Sequence, residues 1–488
     1  MKNRLRDYGN QVCEEYIKYK PTSSSVKPVH IANGLFRLIS GESYTVEALN
    51  DWIIRWKQGE EICSASQIRE KYSTAFDANS FDDDEINKLR HYMNIIFNAD
   101  GAAYPSASNT VLTISSKTQV RSSVPGEASI NNFLYNVLLS DVNGKASPCI
   151  QLIKEALNDE KDDLSRIASP LTNFSIKKSV ESHKKLSNYT LSGVEGRIRD
   201  SFDRLAENSK SYNKLLTLER IILLGCFAII SHLSSRVLDI SPNYTQYDRV
   251  PMLFDADGSL PAIKFASEET LQVAKLMVEE FFEKGLEDIL QREGYDKYSH
   301  EKMLSRIEDL PMEDSSKKTT SKQTEDVKRK SYKALYLGYY EQYRDPFQAF
   351  VKATRFKLFA DEFSTDPSAF IASLGGKIAL LTPRAQTSGR KRYSPDPLML
   401  EIILHSILDA NKKFTLGDFG HELWNSYGII IGANPETDLE HLKKWRVSQI
   451  VPGDLAGELA KNAEKIADIL ISMGYGKKYA DGVTVISL

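Results

Sequence analysis

The sequence predicts a mainly α, multidomain fold: a helical body with small β-hairpins, closed by a C-terminal winged helix-turn-helix. Three observations predict it. Apolar residues recur at helical spacing along most of the chain. A length of 488 residues exceeds what one hydrophobic core organises and suggests roughly three domains. Residues 390–488 pass from helical segments into a terminal strand pair, the outline of a wing.

Residues 1–200 read as a mostly helical region. Thr45 to Ile54 opens one helix, and Asp83-Asp84-Glu85 gives another an acidic first turn that suits the helix dipole, continuing through Tyr92, Ile95 and Phe97. The segment near 101–130 is polar and partly β, with Pro105, Pro125 and a strand candidate at Val111-Leu112-Thr113-Ile114. Helical patterns return at 131–140 and 148–158, and residues 160–200 are polar.

A central helical domain is expected over 203–310. Its core is a long apolar helix at about 211–238. The run Ile221 to Ile230 is about half of what a bilayer requires, and charged or polar residues flank it, which predicts a buried helix. A β-hairpin is expected over 250–265: Val250-Pro251-Met252-Leu253-Phe254, an Asp-Gly turn, then Leu260 to Phe265. Ser267 is then the expected N-cap of a helix reaching Arg292.

Residues 311–331 hold almost nothing apolar and predict a flexible linker. A tyrosine-rich helical segment follows at 332–385, and a loop at about 382–396 leads into the winged-helix-like domain of 390–488. There, helices are expected over Pro397–Leu408, Thr415–Tyr427 and Asp454–Met473, then two strands around Asp481-Gly482.

The formal net charge of −3 excludes a uniformly basic nucleic-acid binder, so any such contact comes from a local patch. Four cysteines, Cys13, Cys63, Cys149 and Cys226, form no CxxC pair, which argues against a zinc ribbon or disulfide framework. Reduced thiols fit a cytoplasmic protein. The N-terminus lacks a signal-peptide apolar run, and no membrane partner is expected.

Arg390, Lys391 and Arg392 before the first helix of the terminal domain, with Lys477 and Lys478 at its wing, are the candidate contacts to duplex DNA. Acidic residues Asp454, Glu458, Glu464 and Asp468 on the preceding helix oppose a major groove and favour protein packing. Tyr332, Tyr336, Tyr339 and Tyr343 are candidate partner-binding residues, set among cations that suit stacking on bases. Their helical spacing equally predicts one buried helix face.

Phe254-Asp255-Ala256-Asp257-Gly258 resembles the first motif of haloacid-dehalogenase-type phosphatases, which implies Asp255 as nucleophile and Asp257 as general acid. The surrounding sequence lacks that family's strand order and its later carboxylate pair for magnesium. Ala262-Ile263-Lys264 has the lysine of a restriction-type nuclease motif without its glutamate. Leu374-Gly375-Gly376-Lys377 lacks the glycine spacing of a phosphate loop, and the eight histidines, His405 and His421 included, form no HxH or HxxxH pair. No catalytic residue, cofactor or metal site is therefore assigned. A metal-dependent phosphatase or nuclease using Asp255 and Asp257 stands as the alternative, beside a pure assembly scaffold.

Three segments in order carry a family resemblance: Leu218 to Leu224, Arg249 to Asp255, and Arg392-Tyr393-Ser394-Pro395 leading to Ser426 to Gly432. Residues 205–488 are similar in layout to accessory subunits of bacterial DNA-modification-linked anti-phage systems of the phosphorothioation-dependent restriction type. The resemblance implies a non-motor subunit whose ATPase, helicase or nuclease partners are separate chains. It transfers no catalytic residue.

Overall fold

The structure is a computed structural model that describes residues 5–44, 64–71, 82–88, 90–91, 127–140, 142, 144–157, 177–179, 189–210, 213–310, 325–384, 389–480 and 482–488. The described chain is mainly helical with small sheets, as the sequence predicts. It divides into two compact units. One comprises Met1–Ser25, Ser192–Ile198 and Phe227–Leu488; the other comprises Val26–Leu191 and Arg199–Cys226. The helix expected over Thr45–Ile54 and the strand expected at Val111–Ile114 lie outside the described residues.

Helix α1 (Leu5–Val12) opens the first unit. The second unit contains α2 (Pro28–Ser40), β1 (Glu42–Tyr44), α3 (Ala65–Lys71), α4 (Glu127–Leu139), α5 (Pro148–Leu157) and β2 (Lys177–Ser179), with β1 antiparallel to β2. Ile31, Leu35, Phe133, Leu134, Val137 and Ile153 are buried there. Helices α6 (Gly193–Asn208) and α7 (Lys214–Ser235) contribute to both units. Buried Arg199 of α6 donates to the Asp203 carboxylate at 2.9 Å and to the carbonyls of Val137, Ser140 and Lys145. It thereby ties α6 to the end of α4. The stretch Leu216–Ser235 is apolar and long enough to cross a membrane, and 89% of its most apolar window is buried inside the chain.

The larger unit is built around a 32-residue helix, preceded by β3 (Met252–Leu253): α8 (Pro261–Arg292). Leu260 precedes the helix in extended conformation and Pro261 takes its first turn, where a missing N–H costs nothing. Gly294, at φ 82°, ends it. Ile263, Ala266, Ala274, Val278, Phe281, Phe282 and Ile289 are buried along it. Helices α9 (His300–Asp309), α10 (Glu325–Tyr343), α11 (Pro346–Lys357) and α12 (Pro367–Lys377) follow. Strand β4 (Leu381–Thr382) pairs antiparallel with β5 (Arg392–Tyr393).

Three expectations are corrected here. The hairpin expected over 250–265 does not form, because Leu260 to Phe265 enters α8 instead of returning as a strand. Its first strand, β3, finds a distant parallel partner, β7 (Ile429–Ile430), with Met252 opposite Ile429. Ser267 is not an N-cap; it lies inside α8, where its hydroxyl accepts the Tyr393 N–H at 2.9 Å and faces the Tyr393 carbonyl at 3.2 Å. Of the linker expected over 311–331, residues 311–324 lie outside the described residues, and residues 325–331 belong to α10, which runs from Glu325. Lys328, Tyr332 and Tyr336 are all buried, so one helical stripe continues upstream of the first tyrosine.

The terminal region has α13 (Pro397–Ile407), β6 (Phe414–Thr415), α14 (Leu416–Tyr427), then β7, α15 (Pro435–Lys444), α16 (Leu455–Ser472), β8 (Gly476–Lys478) and β9 (Thr484–Ile486). Caps fix the helix starts: Asp396 accepts the Met399 N–H, Thr415 and Asp418 form a reciprocal capping box, and Asp454 accepts the Gly457 N–H. Strands β6, β8 and β9 form one antiparallel sheet in the order β6-β9-β8. The region shares its core with the body. Leu253, Ile263 and Ala266 pack in one cluster with Trp424, Ile430, Leu442, Leu455 and Leu459.

Candidate functional site

The segment 254–260 sits where β3, β5 and α16 converge. Asp255 is 1% exposed. One carboxylate oxygen accepts Arg392 Nε–H at 2.6 Å, and the other accepts the N–H groups of Asp257 at 3.2 Å and Gly258 at 2.8 Å. Gly258 adopts φ 76°, and a Cβ there would lie 2.5 Å from Arg392 Nη2. Only glycine meets both demands. Asp257 faces another way, accepting Lys465 Nζ at 2.7 Å and the Ser259 hydroxyl at 2.6 Å. Those bonds hold its carboxyl down to about 2. The two aspartates proposed for phosphoryl chemistry thus serve different partners, and each organises the loop. Among the described residues, no group of three or more His, Cys, Asp or Glu could hold a metal ion.

Asn462 of α16 completes this junction. Its amide donates to the carbonyls of Phe254 at 2.7 Å and Ile431 at 2.9 Å, and its oxygen accepts the Ala256 N–H at 3.1 Å. One fully buried side chain therefore ties the ends of β3 and β7 to α16. Sequence reasoning missed it, because a lone asparagine inside an amphipathic helix carries no motif.

The five expected phosphate contacts fall in different settings. Arg392 is committed to Asp255 and only 13% exposed. Lys391 donates to the Pro383 carbonyl at 2.6 Å and the Arg384 carbonyl at 3.1 Å. Burial and then the nearby charge of Lys275 pull its ammonium below the usual lysine value. Arg390 pairs with Glu269 at 2.9 Å while its side chain remains largely exposed. Lys477 and Lys478 are exposed on β8, and the Lys477 ammonium lies 5.3 Å from the centre of the Tyr479 ring. Lys391 and Arg392 are thus engaged within the fold, whereas Arg390, Lys477 and Lys478 are exposed.

The tyrosines divide similarly. Tyr332 is buried, with its hydroxyl 2.6 Å from Thr354 Oγ1 and its ring stacked on Phe350. Tyr336 is buried and meets His300 Nδ1 at 3.0 Å. These two form the core face that their spacing allows, so they are not available to a partner. Tyr339 is half-buried and Tyr343 is 43% exposed, beneath Lys352.

The outward face of α16 is acidic at Glu464 and Asp468, with Lys461 exposed beside them. Ala456, Ala460, Lys461, Glu464 and Asp468 are exposed along it. Glu464 and Asp468, one turn apart, line an open cavity of about 370 Å³ with Gly417, Lys478 and Val483. His405 meets Tyr475 at 3.2 Å, whereas His421 acts electrostatically on Asp438. Nearby, burial raises the Asp438 carboxyl to about 6 against the pull of the Asn434 and Gly432 N–H groups.

A second buried polar group went unread in the sequence. His232 of α7 lies 3.1 Å from the Tyr19 hydroxyl through Nδ1 and 3.3 Å from Glu195 through Nε2. All three are almost fully buried, and complete burial lowers the His232 pKa against the raising influence of Glu195. The arrangement joins the N-terminal segment to α6 and α7 within the larger unit. Compared with protein-family models, curated proteins and solved structures, the chain matches none.

Proposed function

We propose that the chain is a non-catalytic binding subunit of a multi-protein complex acting on DNA, and that residues 395–488 are a winged-helix module docking on a partner protein. The element order supports the winged-helix reading. A helix, β6, further helices, then α16 and the β8–β9 ribbon close a sheet in the order β6-β9-β8. The helix before the ribbon is the usual reading helix of such modules. The resemblance of residues 205–488 to accessory subunits of anti-phage systems points to the same class.

One observation carries the choice of protein over DNA. The reading helix presents Glu464 and Asp468 outward, while Arg392 and Lys391 are engaged within the fold. A duplex bears one negative charge per about 1.7 Å of axis, so that face is repelled by it. The test is purification of the tagged chain from its native host. A stoichiometric second subunit should be retained by wild type and lost from Glu464→Lys/Asp468→Lys. Retention by that variant contradicts the proposal.

A second reading rests on the exposed, neighbouring Lys477 and Lys478. If the ribbon meets duplex phosphates, Lys477→Ala/Lys478→Ala weakens binding to all sequences alike and flattens its salt dependence. Unchanged binding at low salt sinks this reading.

A further inference from the structure

A second surface of the larger unit is built from aromatic rings. Tyr244 stacks on Trp445 with centroids 6.1 Å apart and 14° between planes, and Tyr247 lies 4.3 Å from the same indole. All three rings are half-buried. Their polar ends face the chain's own backbone where bonds form. Trp445 Nε1–H donates to the Arg249 carbonyl at 3.0 Å, and the Tyr247 hydroxyl points to the Lys444 carbonyl at 3.4 Å. The rings are therefore fixed without a ligand, which lowers the ordering cost of binding. One turn back on α15, His441 stacks on the buried Trp424 ring with centroids 3.6 Å apart.

Cations border one edge. Lys444 and Arg446 are exposed, and neither joins an ion pair among the described residues. Arg446 adopts φ 60°, a region in which glycine or asparagine is unstrained. Glu440 pairs with Lys443 at 3.6 Å, and Asp248 accepts Trp424 Nε1–H at 3.1 Å. Burial and the nearby charge of Glu280 raise the Tyr244 phenol to about 12. Tyr247 is tilted by 39° from the indole plane, and exposed cations follow the indole in sequence at 443, 444 and 446.

We propose that Tyr244, Tyr247 and Trp445 form a stacking platform for single-stranded nucleic acid, with Lys444 and Arg446 meeting its phosphates. Flat rings accept any base by its π-face, and flexible cations follow the backbone. A duplex has no unstacked base to offer, so it gains only the phosphate contacts. This surface is separate from the winged-helix module's acidic face and does not depend on how that face is used.

The experiment is a titration of the full chain with a fluorescein-labelled oligodeoxythymidine, read by anisotropy and by quenching of tryptophan fluorescence. Wild type should bind at low salt. Tyr244→Ala should weaken binding about tenfold through lost stacking. Lys444→Ala/Arg446→Ala should lower the salt slope by about 1.4, at roughly 0.7 per phosphate. Trp445→Phe should retain binding, since a ring remains. No binding at low salt overturns the proposal. So does equal affinity for a matched duplex, insensitivity to Tyr244→Ala, or quenching by a proline-rich peptide in place of the oligonucleotide.

Discussion

Replacing Asp255 by Asn tests whether this residue is a structural bolt or a reacting group. The carboxylate is 1% exposed and accepts three hydrogen bonds, one from Arg392 Nε at 2.6 Å. Asparagine keeps one oxygen for the Asp257 and Gly258 N–H groups. Its amide nitrogen then faces Arg392 donor against donor, leaving a largely buried guanidinium without its counter-charge. Removing one partner of such a pair costs about 3–5 kcal/mol. Retention of the loop bonds places Asp255→Asn near the lower end, about 3 kcal/mol. Arg392→Ala should cost a similar amount, and the double variant should cost less than the sum by about 2 kcal/mol because the two changes remove one interaction. Urea unfolding followed by tryptophan fluorescence reads all three, since Trp424 and Trp445 lie in the same unit. An Asp255→Asn protein within about 0.5 kcal/mol of wild type refutes the reasoning. If that stable variant also lost a magnesium- or manganese-dependent hydrolysis, the alternative enzymatic reading would replace it.

Further outcomes are expected. Asn462→Ala leaves the Phe254 and Ile431 carbonyls and the Ala256 N–H without their partner and should destabilise by about 3 kcal/mol or more in urea. Tyr332→Phe should cost about 1 kcal/mol through its hydroxyl contact with Thr354, while Tyr343→Ala, on an exposed site, should fall within about 0.5 kcal/mol of wild type; a reversed order in thermal melts contradicts the core assignment. Asp438 has its folded pKa raised to about 6 from an ordinary 3.8. The folded state thus binds more protons between those values, and stability falls as pH rises through that window. Asp438→Asn should therefore match wild type near pH 4 and exceed it above pH 7, by at most about 3 kcal/mol; equal stabilities at both pH values count against it.

Helical character was legible because spacing alone specifies it: the stripe through Tyr332 and Tyr336, the run at 214–235 and the amphipathic 455–472 segment all form helices. Partners distant in sequence were not legible. Val250 to Phe265 imitates a hairpin because apolar runs flank an Asp-Gly pair, and Gly258 does take the positive φ such a turn needs. Pro261 is the local signal for the alternative, since it suits a helix's first turn. Nothing near Met252 announces its pairing with Ile429. Arg392 read as an available cation because its counter-charge is 137 positions away. Asn462 illustrates the same limit: its value lies in the three backbone groups it meets, none of them local. The aromatic platform joins a turn at Tyr244 to the end of α15 at Trp445, a proximity that only the fold creates.

The outer face of α16 and the β8–β9 ribbon are proposed to grip a partner protein. Hydrogen–deuterium exchange, comparing the natively purified complex with the isolated chain, measures this directly. Slowed exchange across residues 456–486 is the predicted result. Unchanged exchange there, with protection appearing only elsewhere on the chain, would contradict it.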